Sequence, residues 1–241
     1  MADQITLYTS PASPYSHAVE IALAEAGANF KKYYIDAKNK PEWFVSKVNP
    51  VGQIPAITYG GPDVPPDQPS PESVKLREST VLLEFITELF PGAGLLPKDL
   101  VLRAKARLFL EISKSKLLPA WFGTFRKGEP IENLFAILEQ LQAMLPPTGF
   151  VVGGYSIADA YIASILSRAD IIFENNLNAS GWPDDEGARI LETLRGPRFV
   201  RLAQYKQDLF ERPSFKSTFD KAALTEKYKG YFGTPGALQS Y

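Results

Sequence analysis

The spacing of apolar positions changes character partway along this chain. Up to about residue 90, short apolar runs alternate with helical spacing; beyond residue 97 only helical spacing remains. Residues 5–8, 30–35, 54–59 and 74–76 are short runs rich in β-branched and aromatic side chains, and they predict strands. Tyr15, Ala18, Val19, Ala22 and Leu23 fall on one helical face over 14–26, and Gly27 closes that helix. A helical turn is expected over 41–47 and a helix over 78–89. Residues 60–72 hold Pro62, Pro65, Pro66, Pro69 and Pro71, which exclude helix and central strand and predict an exposed excursion between two strands. Residues 91–97 read as a linker.

Downstream, Leu134, Leu138, Leu141 and Leu145 repeat at helical spacing. Ser156-Ile157-Ala158-Asp159 has the form of a capping box, with Asp in place of the usual Glu or Gln. Further helices are expected near 184–194, 198–210 and 214–223. The pattern predicts a mixed α/β domain over 1–93 followed by an all-helical domain over 99–241.

Composition narrows the chemistry. The chain has 241 residues, a net charge of −1, one histidine and no cysteine. Without clustered basic residues no nucleic-acid surface is expected. Zero cysteines exclude disulfides, thiolate metal sites and a protein-thiol redox cycle. With His17 alone, a histidine metal site or a Ser-His-Asp triad is not expected, and His17 reads as a packed or surface residue. The longest apolar segment, 155–173, is interrupted by Asp159, Arg168 and Asp170, so no membrane span is expected. No basic leader precedes the first strand, and a cytoplasmic location is the default expectation.

Three clusters carry candidate chemistry. The first strand runs into Ser10-Pro11-Ala12-Ser13-Pro14-Tyr15-Ser16, where Ser13 has the position of a helix cap and Pro14 that of the first helical residue. The second is Asn49-Pro50-Val51-Gly52-Gln53-Ile54-Pro55, and the third is Glu78-Ser79 at a helix start. Read alone, each has an ordinary structural role: a cap, a turn before a strand, and an acid that complements a helix dipole. In order and spacing these segments, together with Lys38-Asn39-Lys40-Pro41-Glu42-Trp43-Phe44 and Leu95-Leu96-Pro97, resemble the cytosolic glutathione transferases, and the omega class most. That class carries Cys-Pro-x-Ala at the catalytic turn. Here the matching stretch is Ser13-Pro14-Tyr15-Ser16, similar to the serine-bearing branch of omega-like enzymes from wood-decay fungi.

The resemblance implies a thioredoxin-like N-terminal domain, a helical C-terminal domain, glutathione as co-substrate, no metal, and a homodimer. It implies that Ser13 is the catalytic hydroxyl, with Pro14 and Tyr15 beside it. It implies that Ser79 and the helix N-terminus take the γ-glutamyl carboxylate and Glu78 the ammonium. The cysteinyl backbone would pair with Ile54, given a cis Pro55, and Lys40 would take the glycyl carboxylate. Tyr8, Ser10, Tyr15 and Ser16 stay open as rival donors, and the cap reading of Ser13 stays compatible with the catalytic one. A serine oxygen forms no mixed disulfide, so deglutathionylation through a protein thiol is excluded. An electrophile pocket is expected between the domains. Two aromatic clusters, Trp121, Phe122 and Phe125 and then Tyr228, Tyr231 and Phe232, lie beside Pro119, Gly123, Gly230 and Gly233, and partial exposure is expected of them. The leading function is conjugation or peroxide reduction on small hydrophobic and aromatic molecules. The alternatives are a ligandin, a non-catalytic binder of aromatic metabolites such as polyphenols, and a transferase-like interaction module.

Overall fold

The structure, a computed structural model, describes residues 4–177 and 180–232. The ends of the two expected domains, 1–3 and 233–241, lie outside the described residues, and Gly233 with them. The chain divides into two compact units, Met1–Leu95 and Leu96–Tyr241.

In the first unit, β1 (Ile5–Thr9), α1 (Pro14–Glu25) and β2 (Lys31–Tyr34) form a βαβ crossover, which makes β1 and β2 parallel. After α2 (Glu42–Lys47) come β3 (Ala56–Tyr59), β4 (Val74–Arg77) and α3 (Ser79–Leu89). The sheet order is β2-β1-β3-β4, with β3 antiparallel to both neighbours. This is the thioredoxin-like arrangement. β3 starts at Ala56 rather than at 54, since Pro55 has no N–H for the ladder. Side chains alternate along β1. Tyr8 packs with Phe44 of α2, Val48 and Ile35. Its neighbour Thr9 points to α1, where its hydroxyl donates to Glu20 Oε1 at 2.5 Å. Lys32 of β2 completes the tie with a bond to Glu20 Oε2 at 2.7 Å.

The proline-rich segment runs between β3 and β4 with Pro62, Pro65 and Pro71 exposed, in line with the expected excursion, but it is anchored at several points. It folds back toward the sheet: the Tyr8 hydroxyl donates to the Pro66 carbonyl at 2.7 Å, Lys31 pairs with Asp63, and Lys75 Nζ donates to the carbonyls of Ser70 and Ser73 at 2.5 and 2.6 Å. Pro69 and Ser70 are buried. Proline cannot supply ladder donors, but its carbonyls accept from side chains that the sheet presents.

The second unit is helical. α4 (Leu100–Ile112) continues through a π-helical turn, Ser113–Leu117, into α5 (Leu118–Lys127). The wide turn lies just before Pro119, where an α-helical register would press the ring on the carbonyl four residues back. α6 (Ile131–Met144) follows. α7 (Ile157–Glu174) then runs through the centre, buried on all sides from Ile157 to Ala169. That accounts for the long apolar segment, and no described helix is long and apolar enough to cross a membrane. Asp159 is fully buried beneath its capping box: it accepts from the Ser156 N–H at 2.8 Å, the Ser156 hydroxyl at 2.6 Å and the Val151 N–H at 3.1 Å.

α8 (Glu186–Arg195) and α9 (Val200–Phe210) match expectation, with a 3₁₀ turn Pro197–Phe199 between them. The single helix expected over 214–223 is instead two, α10 (Pro213–Thr218) and α11 (Lys221–Phe232). Phe219 is extended, at φ −120° and ψ 107°, and its ring packs 4.9 Å from Phe215, which itself stacks on Phe210. Asp220 then caps α11 by accepting from the Ala223 N–H at 3.0 Å. Aromatic packing and a new cap outweigh the helical period.

Candidate functional site

The strand register brings the separate sequence clusters to one end of the first unit. Tyr8 pairs with Ala56, and Ala56 pairs with Arg77. The chain therefore leaves β1 toward Ser13, enters β3 from Pro55 and leaves β4 toward Glu78 at the same end of the sheet. β2, parallel to β1, also exits there toward Lys40, and the Ile35 N–H donates to the Thr9 carbonyl at 2.9 Å.

Ser13 caps α1. Its N–H donates to the Ser10 carbonyl at 3.0 Å, closing the turn, and its Oγ accepts from the Ser16 N–H at 3.2 Å. A hydroxyl has one hydrogen to donate and two lone pairs. The cap uses a lone pair and leaves the hydrogen. Ser13 is partly exposed, Pro14 and Ser16 are buried, and Tyr15 is partly exposed. Ser10 is buried at 4% exposure and His17 at 3%, which fits the packed reading of His17. Tyr8 is removed as a rival: it is fully buried, burial pushes its phenol up from the usual range, and its hydrogen goes to Pro66.

The turn before β3 is built by Asn49. Its Oδ1 accepts from the Val51 N–H at 3.2 Å, and its Nδ2 donates to the Gln53 carbonyl at 2.7 Å. Gly52 sits at φ +71°, which favours glycine, and its N–H donates to the Asn49 carbonyl at 2.8 Å. The Ile54–Pro55 peptide is cis, as the transferase reading requires. Lys40 lies against this turn: its Cδ is 3.7 Å from the place a Gly52 side chain would take. Its exposed ammonium donates to the Ala37 carbonyl at 2.8 Å.

Glu78 precedes α3 with φ 69° and ψ 111°. A non-glycine residue there is strained by about 1–3 kcal/mol, and such strain gathers at binding sites. Among the described residues no side chain caps α3, which leaves its first N–H groups available to an anion, and Ser79 at that terminus is buried at 7% exposure. Sequence reasoning identified Glu78 by its charge but had no signal for its backbone, because positive φ leaves no composition mark outside glycine.

The aromatic expectation is corrected. Trp121, Phe125 and Tyr228 are buried, at 1%, 0% and 3% exposure; Phe122 and Tyr231 keep partial exposure. Pro119, Gly123 and Gly230 lie inside helices rather than breaking them. Trp121 stacks on Phe122 at 4.9 Å, Phe125 meets Phe232 at 5.3 Å, and the Arg126 guanidinium lies 4.2 Å over the Phe122 ring. Among the described residues no group of His, Asp or Glu gathers as metal ligands.

Comparison with known proteins agrees with this geometry. Residues 7–94 match the glutathione S-transferase N-terminal domain family. The structure is similar to glutathione transferase Omega 1C from Trametes versicolor, with 47% identity, TM-score 0.93, and coverage of 96% of this chain and 97% of that one. It is also similar to Omega 2S from the same fungus in complex with 2,4-dihydroxybenzophenone, with 43% identity, TM-score 0.90, and coverage of 95% and 100%. A stringent starvation protein A homolog from Coxiella burnetii is 27% identical over 230 residues, 90% of this chain and 92% of that protein. By its fold, by the convergence of the three clusters and by these relatives, the chain belongs to the glutathione transferase family and resembles its omega enzymes.

Proposed function

We propose that this transferase joins glutathione to small apolar and aromatic electrophiles, with Ser13 donating a hydrogen bond to the glutathione thiolate. The observation that carries this reading is the Ser13 hydroxyl, whose oxygen accepts from the Ser16 N–H while its hydrogen remains to be given. A free thiol has a pKa of about 8.5, and each unit of lowering corresponds to about 1.4 kcal/mol. A hydrogen bond to a charged acceptor contributes roughly 1.5–3 kcal/mol. The N-terminus of α1 adds about 0.3–1 kcal/mol. Together they lower the bound thiol by about one to two units, and Ser13 keeps its own proton. The thiolate then attacks the electrophile and forms the carbon–sulfur bond as the leaving group departs with its electron pair. In an addition, water supplies the proton instead.

The rest of the tripeptide finds partners at the same sheet end. Its γ-glutamyl carboxylate goes to Ser79 and the open N–H groups of α3, its ammonium to Glu78, its cysteinyl backbone to Ile54, and its glycyl carboxylate to Lys40. Pro14 and Tyr15 flank the sulfur. The chain has no cysteine, so a protein–glutathione disulfide step is absent from this reading. Phe122 and Tyr231 keep partly exposed rings beside the buried Trp121, Phe125 and Tyr228, and aromatic ligands would pack against their exposed edges. A second reading, storage or transport of aromatic metabolites, is favoured by the relative that binds 2,4-dihydroxybenzophenone. A homodimer is supported by the apolar surface of α4, where Leu100, Val101 and Leu108 are 77%, 63% and 53% exposed. A cytoplasmic location belongs to the same proposal.

The test is turnover of chlorodinitrobenzene and benzyl isothiocyanate with glutathione, wild type against Ser13→Ala. Robust conjugation that falls in the variant supports the transferase reading. Tight aromatic binding without turnover supports the carrier, and loss of neither activity in the variant removes Ser13 from the chemistry.

A further inference from the structure

α1 carries an acid in its apolar, buried middle. Ala18, Val19, Ile21, Ala22 and Leu23 are wholly buried, and Glu20 among them is only 5% exposed. Its carboxylate is held from two strands. Oε1 accepts from the Thr9 hydroxyl, at the end of β1, at 2.5 Å, and Oε2 accepts from Lys32 Nζ of β2 at 2.7 Å. Thr9 is itself fully buried. Taking a carboxylate and an ammonium out of water is costly, and apolar side chains of similar volume often stabilise such a place as well or better. Stability is therefore a weak reason for this arrangement. What it adds is a directed link between β1, β2 and α1.

That link spans the turn that carries Ser13. Thr9 ends the strand. The next carbonyl, that of Ser10, accepts from the Ser13 N–H at 3.0 Å, and the Ser13 carbonyl accepts from the His17 N–H at 3.1 Å as α1 begins. Pro11, Ala12 and Ser13 lie at the surface, exposed or partly so, and the two buried ends of the turn set its height. Glu20 stands about 10 Å along α1 from Ser13. We infer that Glu20 and Thr9 are positioning residues for the reaction, fixing α1 lengthwise against β1 so that the Ser13 hydroxyl meets the glutathione sulfur at hydrogen-bond distance. The inference rests on the donor role proposed for Ser13. A hydrogen bond weakens steeply with misalignment, and a misplacement of about 1 Å caused far from the chemistry is enough to matter.

The experiment titrates the thiol of bound glutathione by its near-ultraviolet absorbance in wild type, Thr9→Val, Ser13→Ala and the double variant. Valine keeps the shape of threonine and removes the donor. Thr9→Val is expected to raise the bound thiol by about half to one unit, and Thr9→Ser, which keeps the hydroxyl, to restore it. Glutathione affinity is expected to fall about three- to tenfold near pH 8 and to stay within about twofold near pH 5.5, where the bound thiol is protonated in both proteins. A merely structural loosening would weaken binding alike at both. In the double variant Thr9→Val is expected to add nothing to Ser13→Ala, because it acts through that oxygen. Glu20→Gln, whose amide has one oxygen where two donors converge, is expected to move the thiol in the same direction and serves if Thr9→Val does not fold. A thiol shifted in Ser13→Ala but in neither of the other two, losses that add in the double variant, a Thr9→Ser protein that behaves as Thr9→Val, or equal weakening at both pH values would each overturn the inference and leave Ser13 its role. A thiol that titrates alike in Ser13→Ala and wild type would overturn both.

Discussion

The Tyr205 hydroxyl donates to Asp159 Oδ1 across 2.6 Å, tying α9 to the first turn of the central helix α7. It is the long-range member of a set whose other donors, Ser156 and Val151, lie within eight residues of the carboxylate. Tyr205→Phe removes one charge-assisted bond and is expected to cost roughly 1.5–3 kcal/mol of unfolding free energy. Asp159→Ala strands several buried donors at once and is expected to cost more, about 3–5 kcal/mol. Urea denaturation at neutral pH measures both.

Asp159 also sets a pH dependence. Burial pushes its carboxyl above the ordinary value of 3.8, against the opposing hydrogen bonds from Ser156, Tyr205 and Val151. The native state therefore holds the proton more tightly than the unfolded chain. This stabilisation is complete below the unfolded pKa and is lost as pH rises through the folded one. The unfolding free energy of wild type minus that of Asp159→Asn, which has no proton to lose, is expected to fall as pH rises from about 4 and then level off. A difference that rises with pH would contradict it.

Gly187 of α8 is a place where helix propensity points the wrong way. A Cβ there would stand 2.2 Å from the Phe173 carbonyl oxygen, while the Gly187 N–H bonds Asn176 Oδ1 at 2.8 Å. Alanine gains about 1 kcal/mol in propensity, but forcing the backbones apart costs typically 1–3 kcal/mol. Gly187→Ala is expected to lower the melting temperature. Gly123→Ala, whose obstacle is the Glu129 carboxylate at 2.3 Å, is expected to be mild because that exposed side chain can swing away.

Glu78 allows strain to be separated from charge. Glu78→Gly relieves φ 69°, whereas Glu78→Ala retains it. The glycine variant is expected to be the more stable by about 1 kcal/mol, the reverse of the usual order. Both variants are expected to bind glutathione more weakly, as calorimetry would read directly, if the carboxylate meets the ammonium.

Much of this was legible in the chain because local chemistry and tertiary structure agree. Ser13 and Pro14 are a cap and a first-turn residue in sequence and in space. The same holds for Asn49, Gly52 and Pro55, and for Ser156 and Asp159. What escaped was set by partners distant in sequence. The proline-rich segment lies back on the sheet because Tyr8, 58 residues before Pro66, supplies a donor. Phe219 breaks a helical period because Phe215 and Phe210 form a stack with it. Trp121 and Phe125 are buried because Gly123 and Pro119 sit within continuous helix, once a π turn absorbs the proline. The backbone of Glu78 left no trace at all in the sequence.

Tyr8 and Ser13 make a paired control. Tyr8→Phe loses its bond to Pro66 and is expected to cost about 0.5–1.5 kcal/mol of stability while turnover is unchanged. Ser13→Cys is expected to acquire a reductant-sensitive glutathione adduct, visible by mass spectrometry, that the wild type never forms.

The most direct measurement is the ionisation of glutathione on the protein, followed by the near-ultraviolet absorbance of its thiolate as pH is raised. In the wild type the bound thiol is expected to titrate about one to two units below its free value of about 8.5, and in Ser13→Ala to return toward that value. An unshifted thiol in the wild type, or the same shift in both proteins, would contradict the role given to Ser13.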